Sequence, residues 1–383
     1  VVGVIAAPTA MAQVEVYGKI HTSMGYVDTG GSDTDSFKML PNNSNIGFRG
    51  TEDLGGGLSL VYQAETSLDW SGDDGTNKGD GGWGKARDTY VGFAGDWGWL
   101  AIGRHNSPYK NSTGRIDAAG NNAADYNNIM GTGVSSVTYA SNGAGGIDPN
   151  TGAPSSKLRK HDDRISNAIM YKSKDMSGFS FEGVWGLDDA QSFGSDRSIN
   201  RFAGSATYAN GPVFLTAAGA YYLEDGVAGK ATFDDSDPGN PTVTSSDYED
   251  DLTWKVAGGF GFNDNNTWIY AMYETLDPGS DANGQDWDRV GWYASVKHKW
   301  GANSIGFGYG YADEFDNVSD SDATQWQLQF NHAMSKRTTI YVQGAFLQAE
   351  KNAFGYQIAK ESIVNDEDAY WVGLGVIHKF SSK

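Results

Sequence analysis

The sequence predicts an all-β protein: a sixteen-stranded antiparallel transmembrane β-barrel, with short turns at one end, long loops at the other and an infolded third loop. Three observations carry that expectation. Aromatic residues make up 13% of the 383 residues, yet the mean hydropathy is −0.49. Apolar and polar residues alternate with a period of two along most of the chain. The alternating segments are joined in turn by very short connections and by long polar ones.

The composition is that of an inside-out protein, with rings on an outer girdle and polar groups facing a lumen. No run of about 18 apolar residues exists, which excludes membrane-spanning helices. The chain has no cysteine, so neither disulfides nor thiol chemistry contribute. A net charge of −20, from 48 acids against 28 Lys and Arg, makes nucleic acid an unsuitable partner, because a phosphate backbone needs a basic footprint.

Residues 1–12 (VVGVIAAPTAMA) are uncharged and end in Ala10-Met11-Ala12, which reads as the remainder of a secretory signal peptide; a buried strand or short helix is the alternative. The barrel domain is then expected over 13–380, with a three-residue extension at 381–383.

Alternation is plain in 58–70, where Leu58, Leu60, Tyr62, Ala64, Thr66, Leu68 and Trp70 oppose Ser59, Val61, Gln63, Glu65, Ser67 and Asp69. Trp326, Leu328 and Phe330 likewise alternate with Gln325, Gln327, Gln329 and Asn331. A soluble sandwich also presents such faces, and spacing separates the two. Short turns fall at 55–57, 96–98, 210–212, 263–266, 301–302 and 335–337, and long loops at 29–35, 71–84, 110–161, 225–250, 278–286 and 351–367. The strands between them number about sixteen, an even count as a single-chain barrel requires. Twelve residues at about 3.3 Å each, tilted by about 40°, rise about 30 Å, enough to cross the apolar layer.

The long loops are acidic. Residues 225–251 contain Asp234, Asp235, Asp237, Asp247, Glu249, Asp250 and Asp251 against Lys230. A solvated surface loop is the plain reading; a divalent cation held by external carboxylates is the sharper one, although no segment has full calcium-loop spacing. No resident cofactor is otherwise expected. Six scattered histidines lack metal-ligand spacing, and no nucleophile elbow or phosphate loop occurs, so an enzyme is not expected.

Several stretches resemble the general porins of Gram-negative bacteria: 14–19 (VEVYGK), 45–58 (NIGFRGTEDLGGGL), 87–93 (RDTYVGF), 102–107 (IGRHNS), 164–171 (RISNAIMY) and the closing 372–380 (VGLGVIHKF). The resemblance implies an outer-membrane homotrimer in contact with lipid and lipopolysaccharide, through which ions and small hydrophilic solutes diffuse passively. It implies a basic cluster on the barrel wall, matched here by Lys19, Arg49, Arg87, Arg104 and Arg164. Facing it would be acids of the third loop, best matched by Asp117 and Asp125. Two departures are visible: Ser381-Ser382-Lys383 follow the usual terminal Phe380, and the third loop carries Asp125-Tyr126 in place of one porin branch's Pro-Glu-Phe-Gly-Gly.

Strand parity supports four of the five basic positions. Lys19 shares a face with Glu15, Tyr17, His21 and Ser23, and Arg164 opposes Ile165, Ile169 and Tyr171. Arg49 opposes Ile46 and Phe48, and Arg87 opposes Tyr90. Arg104 falls with Leu100 and Ile102 and needs a bulge to face inward. Arg289, Lys297 and Lys299 form another lumenal ladder, read as ordinary lining. The segment 110–161 is too long for an idle connection; its part around Ala123–Tyr126 is expected to fold inward as a helix-tolerant stretch, and 141–152 to lie near the external mouth. The −20 total leans selectivity towards cations. Two alternatives remain: a substrate-specific porin with a stacking track of Trp83, Tyr109, Tyr126 and Trp185, or a plugged barrel acting as receptor, adhesin or lipid-processing enzyme.

Overall fold

The computed structural model describes residues 14–31, 36–70, 82–120, 122–134, 158–187, 198–225, 227–232, 242–247, 251–277, 288–316, 318–353, 355–364 and 366–382. Sixteen antiparallel strands close into a barrel. They are β1 (Glu15–Asp28), β2 (Ser36–Leu40 and Asn45–Gly55), β3 (Leu58–Asp69), β4 (Gly82–Ala86 and Thr89–Gly95), β5 (Gly98–Asn106), β6 (Arg164–Lys172), β7 (Phe179–Gly186) and β8 (Ser198–Asn210). The second half comprises β9 (Val213–Asp225), β10 (Asp251–Phe262), β11 (Thr267–Asp277), β12 (Arg289–Trp300), β13 (Asn303–Ala312), β14 (Ala323–Ala333), β15 (Thr338–Ala349) and β16 (Asp368–Ser381). Each strand pairs with its neighbour in sequence, and β16 closes on β1 from Tyr17↔Ser381 to Asp28↔Tyr370. Closure removes every unpaired edge, which hydrocarbon demands of a spanning sheet.

β2 and β4 are each interrupted once. In β2 the break follows Pro41, which has no N–H to give to the ladder; Ser44 bridges the gap, its backbone N–H reaching Pro41 O at 3.2 Å and its hydroxyl reaching His21 O at 2.9 Å. In β4 the break falls at Arg87-Asp88. β16 continues through Ser381, and the Ser382 backbone N–H donates to Val16 O at 2.8 Å. The last strand thus runs past Phe380, and the segment called an extension begins inside it.

Burial is inverted relative to a soluble fold. Leu328 and Val342 are 49% and 56% exposed, whereas Gln327 and Gln343 on the inner face are 2% exposed. The outward residues are those a bilayer covers.

The inside is filled on one side by the third loop. Ile116, Ala119, Ala123, Ala124, Tyr126, Ile129 and Met130 form one cluster with wall residues such as Tyr270, Met272 and Tyr293. The final loop joins them, burying Tyr356 and Ile358 and donating from the Ala359 backbone N–H to Ala123 O at 3.2 Å. Gly306 on β13 permits the closest approach: a Cβ there would collide with the Ala118 carbonyl. The inward fold expected around Ala123–Tyr126 is present, but the helix is elsewhere, at α1 (Pro108–Thr113), with only a 3-10 turn at Tyr126–Asn128. Ser107 caps α1 and Pro108 starts it, the arrangement such residues favour. Residues 1–12 and 141–152, and Asp234, Asp235, Asp237, Glu249 and Asp250 of the acidic stretch 225–251, lie outside the described residues.

Candidate functional site

The third loop leaves β5 through α1, crosses the bore, and returns to β6 through His161–Asp163. Both ends of its inner part converge on one buried carboxylate. Tyr109 OH donates to Glu274 Oε2 at 2.7 Å, and the Gly131 N–H donates to Glu274 Oε1 at 2.7 Å. Lys255 Nζ, also buried, lies 3.8 Å from the Tyr109 ring centroid and 3.5 Å from Asp162 Oδ2, while Lys110 pairs with the same Asp162. Burial alone would raise the Asp162 pKa, but Lys110 and Lys255 outweigh it and hold the carboxyl below its usual range.

Between its ends the loop is fastened to β12 and β14 by neutral groups. Ser295 Oγ donates to Ile116 O at 2.6 Å and the Ala118 N–H to Tyr293 OH at 2.9 Å. Asn122 Nδ2 donates to Gln329 Oε1 at 2.7 Å, and Gln325 Nε2 to Asp125 O at 3.0 Å. The two candidate loop acids are braced by backbone donors. Asp117 accepts from the Ala119 and Gly120 N–H groups at 3.0 and 2.7 Å, and Asp125 from Asn127 N–H at 2.9 Å. Burial, and then the neighbouring Asp117 charge, push the Asp125 carboxyl up to about 8.

Asp117, Asp125 and Asp162 line a cavity together with Arg87, Lys110 and Arg164. The two wall arginines are themselves paired: Arg164 Nε lies 2.7 Å from Asp88 Oδ1, and Arg87 contacts Glu65. Beyond Asp117, towards the short turns, a second cavity is lined by Arg115, Lys297 and Lys299. The barrel therefore has an inner surface narrowed by a loop, with opposed charges across part of the gap.

A family model described as Gram-negative porin matches residues 1–352. The chain belongs to that family. It is an outer-membrane channel for passive diffusion. This porin is 26% identical to outer membrane porin protein 32 of Delftia acidovorans, over 98% of this chain and 97% of that one. It is 32% identical to a chitoporin of Vibrio furnissii, over 54% of this chain and 50% of that protein. Among solved structures it is similar to an anion-selective porin from Comamonas acidovorans, with a TM-score of 0.72 and 21% identity, covering 96% of this chain and 100% of that one. It also resembles OmpT of Vibrio cholerae in a trimer form, with a TM-score of 0.60 and 14% identity, covering 96% and 99%.

Of the five basic positions named from sequence, Arg87 and Arg164 border the porin's cavity beside Asp117 and Asp125. Lys19 and Arg49 sit on the β1–β2 wall nearer the short turns. Lys19 is in register with Lys379 and Asn45; Arg49 pairs with Glu15 at 2.8 Å and lies over the Tyr17 ring. Arg104 Nε donates to Ala86 O at 3.0 Å and its guanidinium also bonds Ser166. The bulge invoked for Arg104 exists, but on the facing strand, between Ile165 and Ala168, with Asn167 at φ 49°.

That bulge and the β4 break reverse two parities. Ile165 is buried with Tyr109, not turned outward beside Ile169. Tyr90 is in register with Gln63 and stacks on His105 at 5.0 Å, so it is not on the face opposite Arg87. The proposed stacking track is not assembled. Tyr109 and Tyr126 are buried, their hydroxyls bonded to Glu274 and Thr113. Trp185 is exposed and stacks on Phe202 across the strand pair at 6.1 Å. The Trp83 side chain lies outside the described residues. Arg289 is buried, donating to Tyr356 OH at 3.0 Å, and separates from Lys297 and Lys299. The residues that sequence reasoning missed are Lys110, Asp162, Glu274 and Arg115. Arg115, two positions before Asp117, was the one with a visible signal.

Proposed function

We propose that this porin filters by charge at the third loop and favours small anions, and that it works as a trimer. One observation carries the sign. The two cavities on either side of Asp117 are bordered by six cations, Arg87, Lys110, Arg115, Arg164, Lys297 and Lys299, against five carboxylates, Asp117, Asp125 and Asp162 on the lining with Glu65 and Asp88 paired to Arg87 and Arg164, and the surplus lies at Arg115, Lys297 and Lys299. With the Asp125 carboxyl pushed up to about 8, the excess is larger still at neutral pH. The −20 total argues for cations only if acids are counted wherever they lie; an ion in transit responds to charges within about a Debye length, some 8–10 Å. The anion-selective porin of similar fold supports the same sign, and the trimer form of a second supports the assembly. Ions and small hydrophilic solutes are the expected cargo, with lipid and lipopolysaccharide outside.

The test is the reversal potential of the purified porin in a planar bilayer under a KCl gradient. A potential on the chloride side supports this reading. One on the potassium side overturns it.

A further inference from the structure

The second cavity is built differently from the first. Around the first, each basic side chain has a carboxylate partner: Arg87 has Glu65, Arg164 has Asp88 and Lys110 has Asp162. Around the second, Arg115, Lys297 and Lys299 make no ion pair among the described residues, and Asp117 is the one acid on its described lining. Arg115 is instead held on an aromatic floor. Its guanidinium lies 4.3 Å from the Trp268 ring centroid and 4.9 Å from that of Phe214, and its Nε donates to Tyr270 OH at 3.3 Å. Those contacts fix the group while leaving part of its planar fork of donors unused. Lys297 Nζ donates to Arg115 O at 2.8 Å, tying the wall ammonium to the same loop residue. Gln329 and Asn331 supply neutral polar groups on the β14 side, linked to each other at 2.8 Å.

The site lies at the end of the pore with short turns. Lys297 and Lys299 are within a few residues of the 301–302 turn, and Trp268 follows the turn at 263–266. Three cations against one backbone-braced carboxylate leave a surplus of two positive charges facing a concave, partly aromatic surface.

We propose that Arg115, Lys297 and Lys299 form a binding subsite for small dianionic oxyanions, dicarboxylates or hydrogen phosphate, on the short-turn side of the third loop. The guanidinium fork matches paired oxygens, and the two lysines on alternate positions of β12 supply charge without fixing one geometry. Binding is weak, because a solute must leave as readily as it enters. The subsite catches an anion that has passed the loop, or offers one arriving from the other side its first foothold. It rests on the pore reading above, but not on the sign of its filter.

Single-channel chloride current at low ionic strength, with succinate or inorganic phosphate added to the short-turn side, tests it. The expected result is saturable block, stronger from that side than from the other. In the K297Q/K299Q double variant the half-blocking concentration rises at least about fivefold, from the loss of two nearby charges. Arg115→Gln acts in the same direction while leaving the wall intact. Block by succinate alone narrows the site to carboxylates; block by phosphate alone narrows it to phosphates; both are support. No saturable block by either, or block unchanged in both variants, overturns it. Cation preference with block intact would refute the proposed filter and leave the subsite standing.

Discussion

The wall under the third loop and the wall facing it are made of the same barrel and do different work. On β10–β14 the inner face carries Glu274, Lys255, Tyr293, Ser295, Gln325 and Gln329, and most of their polar atoms reach the loop. On β1–β6 the inner face carries Arg49, Arg87 and Arg164, each paired with an acid of the wall itself and none with the loop. Apart from Lys297 and Lys299 at its short-turn end, the covered wall positions the loop, and the facing wall presents paired charges. The narrowing is held by neutral hydrogen bonds and one buried clamp, and the charges across the gap are paired within their own wall. That separation lets selectivity be altered by substitution without collapsing the loop.

The largest way to break the contrast is Glu274→Ala. It leaves the Gly131 N–H without its buried acceptor and the Tyr109 hydroxyl with Thr253 Oγ1 at 3.2 Å as its remaining partner, costing the loop about 2 kcal/mol. Expected are a higher single-channel conductance and noisier openings; a quiet channel of unchanged conductance would show that Glu274 is not the clamp. Gln325→Ala removes one buried donor to the loop backbone, worth about 1 kcal/mol. It should raise conductance in the same direction by less, and an effect exceeding that of Glu274→Ala would contradict the ranking.

The smallest effect sharpens the comparison through pH. Asp125, with its carboxyl pushed up to about 8 by burial and Asp117, is mostly protonated at pH 7 and ionised at pH 9. Raising pH across that window adds one negative charge beside Arg164 and Lys110, so anion preference should fall. Asp163, raised to about 6 by burial against the pull of Arg201, is already ionised throughout it. The Asp125→Asn variant should therefore reduce the shift; a shift of undiminished size in it belongs to another group.

Period-two alternation made the strands legible, because only a lumen and a lipid face explain Gln327 buried beside Leu328 exposed. Position within strands was less so. One extra residue at Ile165–Ala168 and one break at Arg87-Asp88 reverse facing, and neither has a Gly or Pro to announce it. Arg87, Arg164, Asp117 and Asp125 were legible through family resemblance. Glu274 was not, since one acid among the 48 Asp and Glu looks like ordinary lumenal lining until the chain brings Tyr109 and Gly131 to it. Arg115 was passed over because its anchors, Phe214 and Trp268, stand about a hundred and more residues away.

The division between a holding wall and a charged wall is tested most directly by Arg164→Glu, with conductance and reversal potential read from the same channels. Reversing one charge at about 8 Å from a passing ion in water changes its energy by about 1 kcal/mol, roughly fivefold in permeability ratio. The expected result is a reversal potential moved towards cations with conductance within about twofold of the parent, since no loop contact is lost. An unchanged reversal potential, or a conductance jump like that of Glu274→Ala, would contradict it.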